Sequence, residues 1–348
     1  MPVYCIDPIQ DPRWEEFVQR HPESSLFHSR RWLQSLNRTY GYEPVAYTTA
    51  PRPARITAGI LCCRVRSIFM GSRLVSVPFA DHCQPLESTP GELLGILPEL
   101  KQLVRSEPFR YFELRCCSSE LFNLAQDEDL SSSSTFAHHV LDLSSDLRTL
   151  FDRFHHSCVQ RKIRRAERER VVHEEGNSDK AIRQFYALLI QTRQRHGLPP
   201  QPLTWFLNLR DAWGEALKLS LAVQSGRPIA SIITILHKQC LTYKYGCSDA
   251  RFHKSGAMPF LFWESIQDAK RRGATKFDLG RSDLDNPGLI AFKEHLGAER
   301  SRLTYYCYPA SATNRRALGA TEFASQFCRY LPAPLLRVAG NLLYRHFG

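Results

Sequence analysis

The segment FDLGRSDLDNPGLIAFKEHLGAE, residues 277–299, gathers Asp278, Arg281, Asp283, Asp285 and Lys293 at one strand-to-helix junction. FDLG reads as a strand that breaks at Gly280, and LIAFKEHL as a short helix closed by Gly297. A plain connector needs none of these charges, whereas α/β folds bind ligands at such strand ends. A lysine on the helix can stabilise charge developing on an acyl oxygen or on a phosphate leaving group, and Asp278 is a candidate general base. Arg281 and the aspartates are expected to fix the loop by pairing and by turn chemistry. Upstream, TYKYGCS (242–248) reads as a strand. Its alternation puts Tyr243 and Tyr245 on one face, with Gly246 allowing a kink. The two phenols are substrate-facing groups or half-buried strand residues, and the sequence leaves both readings open.

Two further stretches suit anions. KSGAMPF (254–260) precedes a helix whose free N–H groups can hold phosphate, so Lys254, Ser255, Gly256 and Ala257 form a candidate donor-phosphate loop. Pro259 in the first turn also fits a simple helix start. A basic helix expected over Cys158 to Arg170 places Arg161, Arg164, Arg165 and Arg168 along one side. That side is a phosphate or tRNA surface, or a solvated face. No aromatics interleave with it, so it does not read single strands by itself. The neighbours His138-His139 and His155-His156 diverge in a strand or a helix, so adjacency predicts no metal site. No nucleophile elbow surrounds a serine or cysteine.

The elements that must position these residues follow one order twice. The first half reads as two helices, three strands, a helix and a strand: a helix from Pro12, a Ser29-capped helix stopped by Gly41, PVAYTT, ITAGILCCRV, RLVSVPF, a helix to Ser106 and RYFELRCC. A helix-like stretch near Leu121 and the polar linker DEDLSSSS follow. The second half reads as FAHHVLDL, the basic helix, VVHEE, two helices, three antiparallel strands, a helix from Met258 to Arg272, KFDLG, the short helix and LTYYCYP. Ser225-Gly226 and His237-Lys238-Gln239 are hairpin turns. The tail is basic, and Pro332 and Pro334 split it into two short helices. Its LLRVAGNLLYRHF segment has apolar residues at helical spacing. It lies on an anionic inner membrane surface or packs on the body.

The chain has 348 residues and a formal net charge of +11, which favours anionic partners. Its 11 cysteines include the adjacent pairs Cys62-Cys63 and Cys116-Cys117 and no CxxC, which reads as buried, reduced thiols of a cytoplasmic protein. No signal peptide or spanning segment is read, so the expected location is cytoplasmic, with membrane association through the tail.

The element order resembles the GNAT fold. SVPFADHCQPL (76–86), SCVQRKIRRAERERVV (157–172) and the run from YKYGCSD to GLIAFKEHLGAE are similar to Fem-type aminoacyltransferases. The resemblance covers residues 25 to 308. It implies an α/β (α+β) chain of two tandem GNAT-like domains, mixed central sheets flanked by helices, at 1–134 and 135–309, with the tail at 310–348. It further implies that Lys293 and Phe292 are catalytic and that Arg161 contacts substrate phosphate; Tyr245 and Asp278 join them as catalytic candidates from the residues themselves. It places Asp81 in the acceptor cleft, and His82, Arg165, Tyr243 and Arg281 are further candidates for binding substrate. The lysine that nucleotide-linked members carry after the tryptophan of their early helix has no counterpart here. Trp32 is followed by LQSLN, and the nearest basic residue is Arg38. The expected activity is N-acyl or aminoacyl transfer to an amine of a cell-envelope precursor or polysaccharide. The donor is acyl-CoA or aminoacyl-tRNA, the acceptor is anionic, and no cofactor is tightly bound. The alternative is an inactive module binding an anionic glycan or lipid-linked carrier.

Overall fold

The computed structural model describes residues 2–68, 71–89, 91–117, 129–315 and 328–346. The chain forms two compact units. Unit 1 comprises Met1–Phe136, Arg302–Ala317 and Leu342–Gly348, and unit 2 comprises Ala137–Ser301 and Leu318–Asn341.

Unit 1 runs β1 (Tyr4–Ile6), α1 (Pro12–Arg20), α2 (Arg30–Tyr40), β2 (Glu43–Thr48), β3 (Ala58–Ser67), β4 (Gly71–Val75), β5 (Leu86–Glu87), α3 (Leu97–Ser106) and β6 (Phe109–Cys116). Local chemistry sets the helices. The Asp11 carboxylate caps α1 ahead of Pro12, and the Ser29 hydroxyl caps α2, which stops at the left-handed Gly41. β1 to β4 pair antiparallel in order. β6 then returns parallel to β4 through α3, with Leu74 opposite Phe112. Leu97 and Leu100 of α3 seal Ile60, Leu74 and Phe112 into one core.

Unit 2 repeats the plan. It contains β7 (Ser131–Asp142, from Ala137 on), α4 (Leu147–Arg153), α5 (Arg161–Arg168), β8 (Val172–Glu175), α6 (Asp179–Arg195), α7 (Leu203–Trp213), β9 (Leu217–Gln224), β10 (Arg227–His237), β11 (Cys240–Ser248), α8 (Ala257–Arg271), β12 (Lys276–Asp283) and α9 (Pro287–His295). The strand order is β7-β12-β11-β10-β9-β8. β8 to β11 are antiparallel neighbours, and β12 returns parallel to β11 through α8. Its core joins Ile163 and Ala166 of α5, Leu261, Phe262 and Ile266 of α8, and Phe277 and Leu279 of β12. Burial of each such large side chain contributes about 1.5–3 kcal/mol. The last strand, β13 (Glu299–Tyr308), returns the chain to unit 1, where its Thr304–Tyr308 pair antiparallel with β6, Tyr305 opposite Arg115.

Two expectations about the elements change. The serine run is not a linker, because Ser131–Ser134 open β7, where alternating small side chains fit a strand. The basic helix does not start at Cys158. A π-turn, His156–Gln160, comes first, and the α-helix begins at Arg161. In the tail, the helix Ala333–Leu343 buries Leu336 and Gly340 while Leu335, Val338 and Leu342 stay exposed. One face is packed and the other is open. The stretch near Leu121 and most of the first tail helix lie outside the described residues. Among the described residues, no helix is long and apolar enough to cross a membrane.

Candidate active site

The ladder between β11 and β12 covers only Cys240–Thr242 against Lys276–Asp278. Both strands run on past it, and the residues singled out in the sequence lie along those extensions. Asp278 is buried. Its Oδ1 accepts from His138 Nε2 at 2.9 Å and from the Gly280 amide at 2.8 Å. Gly280 has φ +69°, the left-handed conformation that lets the chain turn back onto the aspartate. The loop beyond is fixed by Asn286, whose side chain caps α9 through the Leu289 amide, with Pro287 in the first turn. Asp283 and Asp285, expected to pair with Arg281, point to solvent. The amide side chain of Asn286 does the capping.

Lys293 is the central feature. It is 2% exposed, and its ammonium donates to the Gly280 carbonyl at 2.9 Å and the Arg281 carbonyl at 3.0 Å. Lysine is rarely buried this deeply without specific partners. Here it clamps α9 to the end of β12. Phe292 beside it packs edge-on to Phe262, centroids 5.3 Å apart, and Phe262 in turn meets Tyr243 at 4.9 Å. Lys293, Phe292, Asp278, Arg281 and Tyr243 are thus brought onto one neighbourhood of unit 2.

Tyr245 is not among them. Ile233 pairs with Tyr245 and Thr234 with Tyr243, so Lys244 is an extra residue, a bulge that reverses the alternation. Tyr243 faces α8, while the buried Tyr245 turns to α7 and accepts from the Trp205 indole at 2.7 Å. The bulge also folds Tyr243 over the chain. A Cβ on Gly246 would lie 2.1 Å from the Tyr243 hydroxyl.

The sequence missed the part played by β7. Strand alternation sends His138 to Asp278 and His139 to the other face. His139 is fully buried, and neither ring nitrogen has a hydrogen-bond partner among the described residues. Burial first, and the Lys293 charge second, pull its pKa down to about 4. Between pH 6.5 and 4 the unfolded chain therefore binds a proton that the folded chain refuses, so stability falls as pH falls. Urea titrations at pH 6.5 and 5 should show the wild type losing about 2 kcal/mol more than His139→Leu. Equal losses would mean that His139 titrates freely.

The candidate phosphate loop has folded duties. The Ser255 hydroxyl donates to the Phe252 carbonyl at 2.7 Å and accepts from the Ala257 amide, and Ala257 is buried in the core. Gly256 has φ +82°, and a Cβ there would lie 2.1 Å from the Lys162 carbonyl oxygen. The main chain of α5 fills the space over the glycine, and Lys254 alone of the four is exposed. On α5, Arg161, Arg164, Arg165 and Arg168 share the exposed side around buried Ile163 and Ala166. Arg165 pairs with Glu169 at 2.6 Å, and Arg164 lies over the Phe151 ring.

In unit 1, Asp81 and His82 sit on a loop tied down by Arg115. That buried guanidinium donates to the Val77 and Ala80 carbonyls at 2.9 and 2.8 Å and pairs with Glu113 at 3.1 Å. The Tyr305 hydroxyl donates to the Asp81 carbonyl at 2.7 Å, and His82 meets the Phe27 ring edge-on. Glu113 and Arg115, two apart on β6, were the missed signal. A paired acid and base on the buried face of an apolar strand need a partner loop.

Comparison with known proteins agrees with this architecture. Residues 140–294 match the model of the acetyltransferase (GNAT) domain. The chain is 24% identical over 321 residues to a UDP-N-acetylmuramoylpentapeptide-lysine N(6)-alanyltransferase of Weissella viridescens, covering 84% of this chain and 91% of that protein. Among solved structures it is similar to FemX (TM-score 0.70, 13% identity, 91% of this chain and 100% of that one). It is also similar to a tandem GNAT protein from the clavulanic acid biosynthesis pathway (TM-score 0.57, 11% identity, 88% and 98%). With the repeated β-sheet plan and its parallel crossovers, these matches make residues 140–294 a GNAT-type acetyltransferase domain, in a chain that over most of its length is similar to Fem-type acyltransferases.

Proposed function

We propose that the chain transfers an aminoacyl group from aminoacyl-tRNA to an amine on a phosphate-bearing cell-envelope precursor, in the cytoplasm. The observation that carries the reading is the match to an alanyltransferase over most of both chains. The amine attacks the ester carbonyl, an amide bond forms, and the tRNA hydroxyl leaves with a proton. The filled space over Gly256 and the spent Ser255 hydroxyl speak for tRNA over acyl-CoA as donor. A pyrophosphate would need the room that Lys162 occupies. Lys293 supplies positive charge to the developing oxyanion, and Asp278, held by His138, takes up the amine proton. Phe292 and Tyr243 wall the site. Arg161 and its neighbours meet the acceptor phosphate or the tRNA backbone. Asp81 and His82, on their braced loop, contact the acceptor. The open face of the tail helix, with Leu335, Val338 and Leu342 beside Arg337, rests on an anionic membrane surface.

The test is product formation. Purified protein, alanyl-tRNA and a nucleotide-linked muramyl pentapeptide should give an acceptor heavier by one alanine residue in mass spectrometry. Transfer from acetyl-CoA and none from any charged tRNA would overturn the donor assignment. Arg161→Ala should raise the acceptor KM at unchanged kcat, by a factor corresponding to about 2 kcal/mol for one charge-assisted contact. An unchanged KM assigns that arginine to tRNA or to the solvated surface.

A further inference from the structure

Three side chains from two distant parts of the sequence meet at the C-terminal end of α9. His155, Cys158 and His295 each offer one ligand atom, and these atoms lie within 4.8 Å of one another. The main chains are locked together, because the His155 amide donates to the His295 carbonyl at 2.9 Å. Their imidazole centroids are 4.3 Å apart. Cys158 reaches the same spot because it lies three residues beyond His155 in the π-turn His156–Gln160, a rare widening of the helix that often marks functional sites. The site is open to solvent, since His155 is exposed and Cys158 and His295 are partly so. Sequence adjacency, which excluded His155-His156, could not see the third ligand.

We propose that His155, Cys158 and His295 bind a zinc-class divalent cation, with water in the fourth position. Two imidazoles and a thiolate are soft to borderline donors. They select zinc over magnesium or calcium, which take oxygen ligands. Zinc–nitrogen and zinc–sulfur bonds of about 2.0–2.3 Å give tetrahedral edges of about 3.3–3.8 Å. Side-chain rotation closes the present spacing to that range. In the unloaded chain, His155 Nδ1 accepts from the Cys158 amide at 3.2 Å. Loading exchanges that cap bond for a coordinate bond, or moves the ring proton to Nδ1 and binds through Nε2. Binding releases the thiol proton to solvent and involves no change in redox state. The ion joins the end of α9, two residues beyond Lys293, to the turn that leads into α5. It is a clamp on the frame of the candidate site, and its existence does not depend on the reaction assigned there.

The full-length protein, stripped with a chelator, would be titrated with zinc by calorimetry and with cobalt by absorbance. One equivalent of zinc and a thiolate-to-cobalt charge-transfer band are expected. Cys158→Ser and His295→Ala should each weaken zinc binding at least 100-fold, and Cys158→Ser should abolish the band. His156→Ala should leave both unchanged. His155→Asn keeps a side-chain oxygen for the turn's cap and so separates folding from ligation. If another variant unfolds, loss of zinc binding in this one, with native circular dichroism, supports the site. Absence of binding to the wild type, or binding that survives Cys158→Ser and His295→Ala, overturns it.

Discussion

Lys293→Met should lower the kcat of the folded enzyme by about 10²–10³, the usual effect of removing one donor to a developing oxyanion. Methionine keeps the length and apolar bulk of the stem, so the change isolates the ammonium group. The same substitution should also destabilise the fold, which the sequence alone did not suggest. The ammonium is buried and serves the Gly280 and Arg281 carbonyls. Hydrogen bonds to a charged donor contribute about 1.5–3 kcal/mol each, and both acceptors would lose one. The two effects separate by measurement. Denaturant midpoints give the loss of stability, and single-turnover rates normalised to the folded fraction give the loss of catalysis. Lys293→Arg should restore little of either, because the wider planar fork does not fit the space of a compact ammonium and directs its donors differently. A folded Lys293→Met enzyme with wild-type turnover would leave the lysine a purely structural clamp between α9 and β12.

The tandem plan was legible because it rests on element order, and order follows from hydrophobic periodicity and turn residues. Gly41 and Pro12 each mark a boundary that the structure keeps. The crowded junction was legible too, since charge on a strand end has few bland uses. What was not legible depends on contacts between distant residues. One extra residue at Lys244 separates Tyr243 from Tyr245, and nothing in TYKYGCS announces a bulge. His138 and His139 looked like a failed metal pair, and only the neighbouring strand reveals that one partners Asp278. Gly256 looked like part of a phosphate loop. A glycine that admits a ligand and one that admits a neighbouring helix are identical in sequence.

That ambiguity gives the second large effect. Gly256→Ala should cost several kcal/mol, well above the roughly 1–2 kcal/mol of forcing a Cβ into the left-handed region. The excess is steric. The new Cβ would lie 2.1 Å from the Lys162 carbonyl oxygen and 2.7 Å from its carbon. Both are backbone atoms of α5, so no rotamer change relieves the contact. α5 and α8 must separate, and Ile163, Ala166, Leu261 and Phe262 pack in the interface that would open. Gly273 provides the control. Its φ is +78°, yet a Cβ there meets nothing within 4 Å. Gly273→Ala should therefore show the conformational cost alone. The difference between the two midpoints, taken with equal denaturant slopes, measures the close approach of α5 to the loop. If Gly256→Ala costs no more than Gly273→Ala, that approach is absent in solution. The loop would then have room for a donor pyrophosphate, and acyl-CoA would regain its claim as the donor.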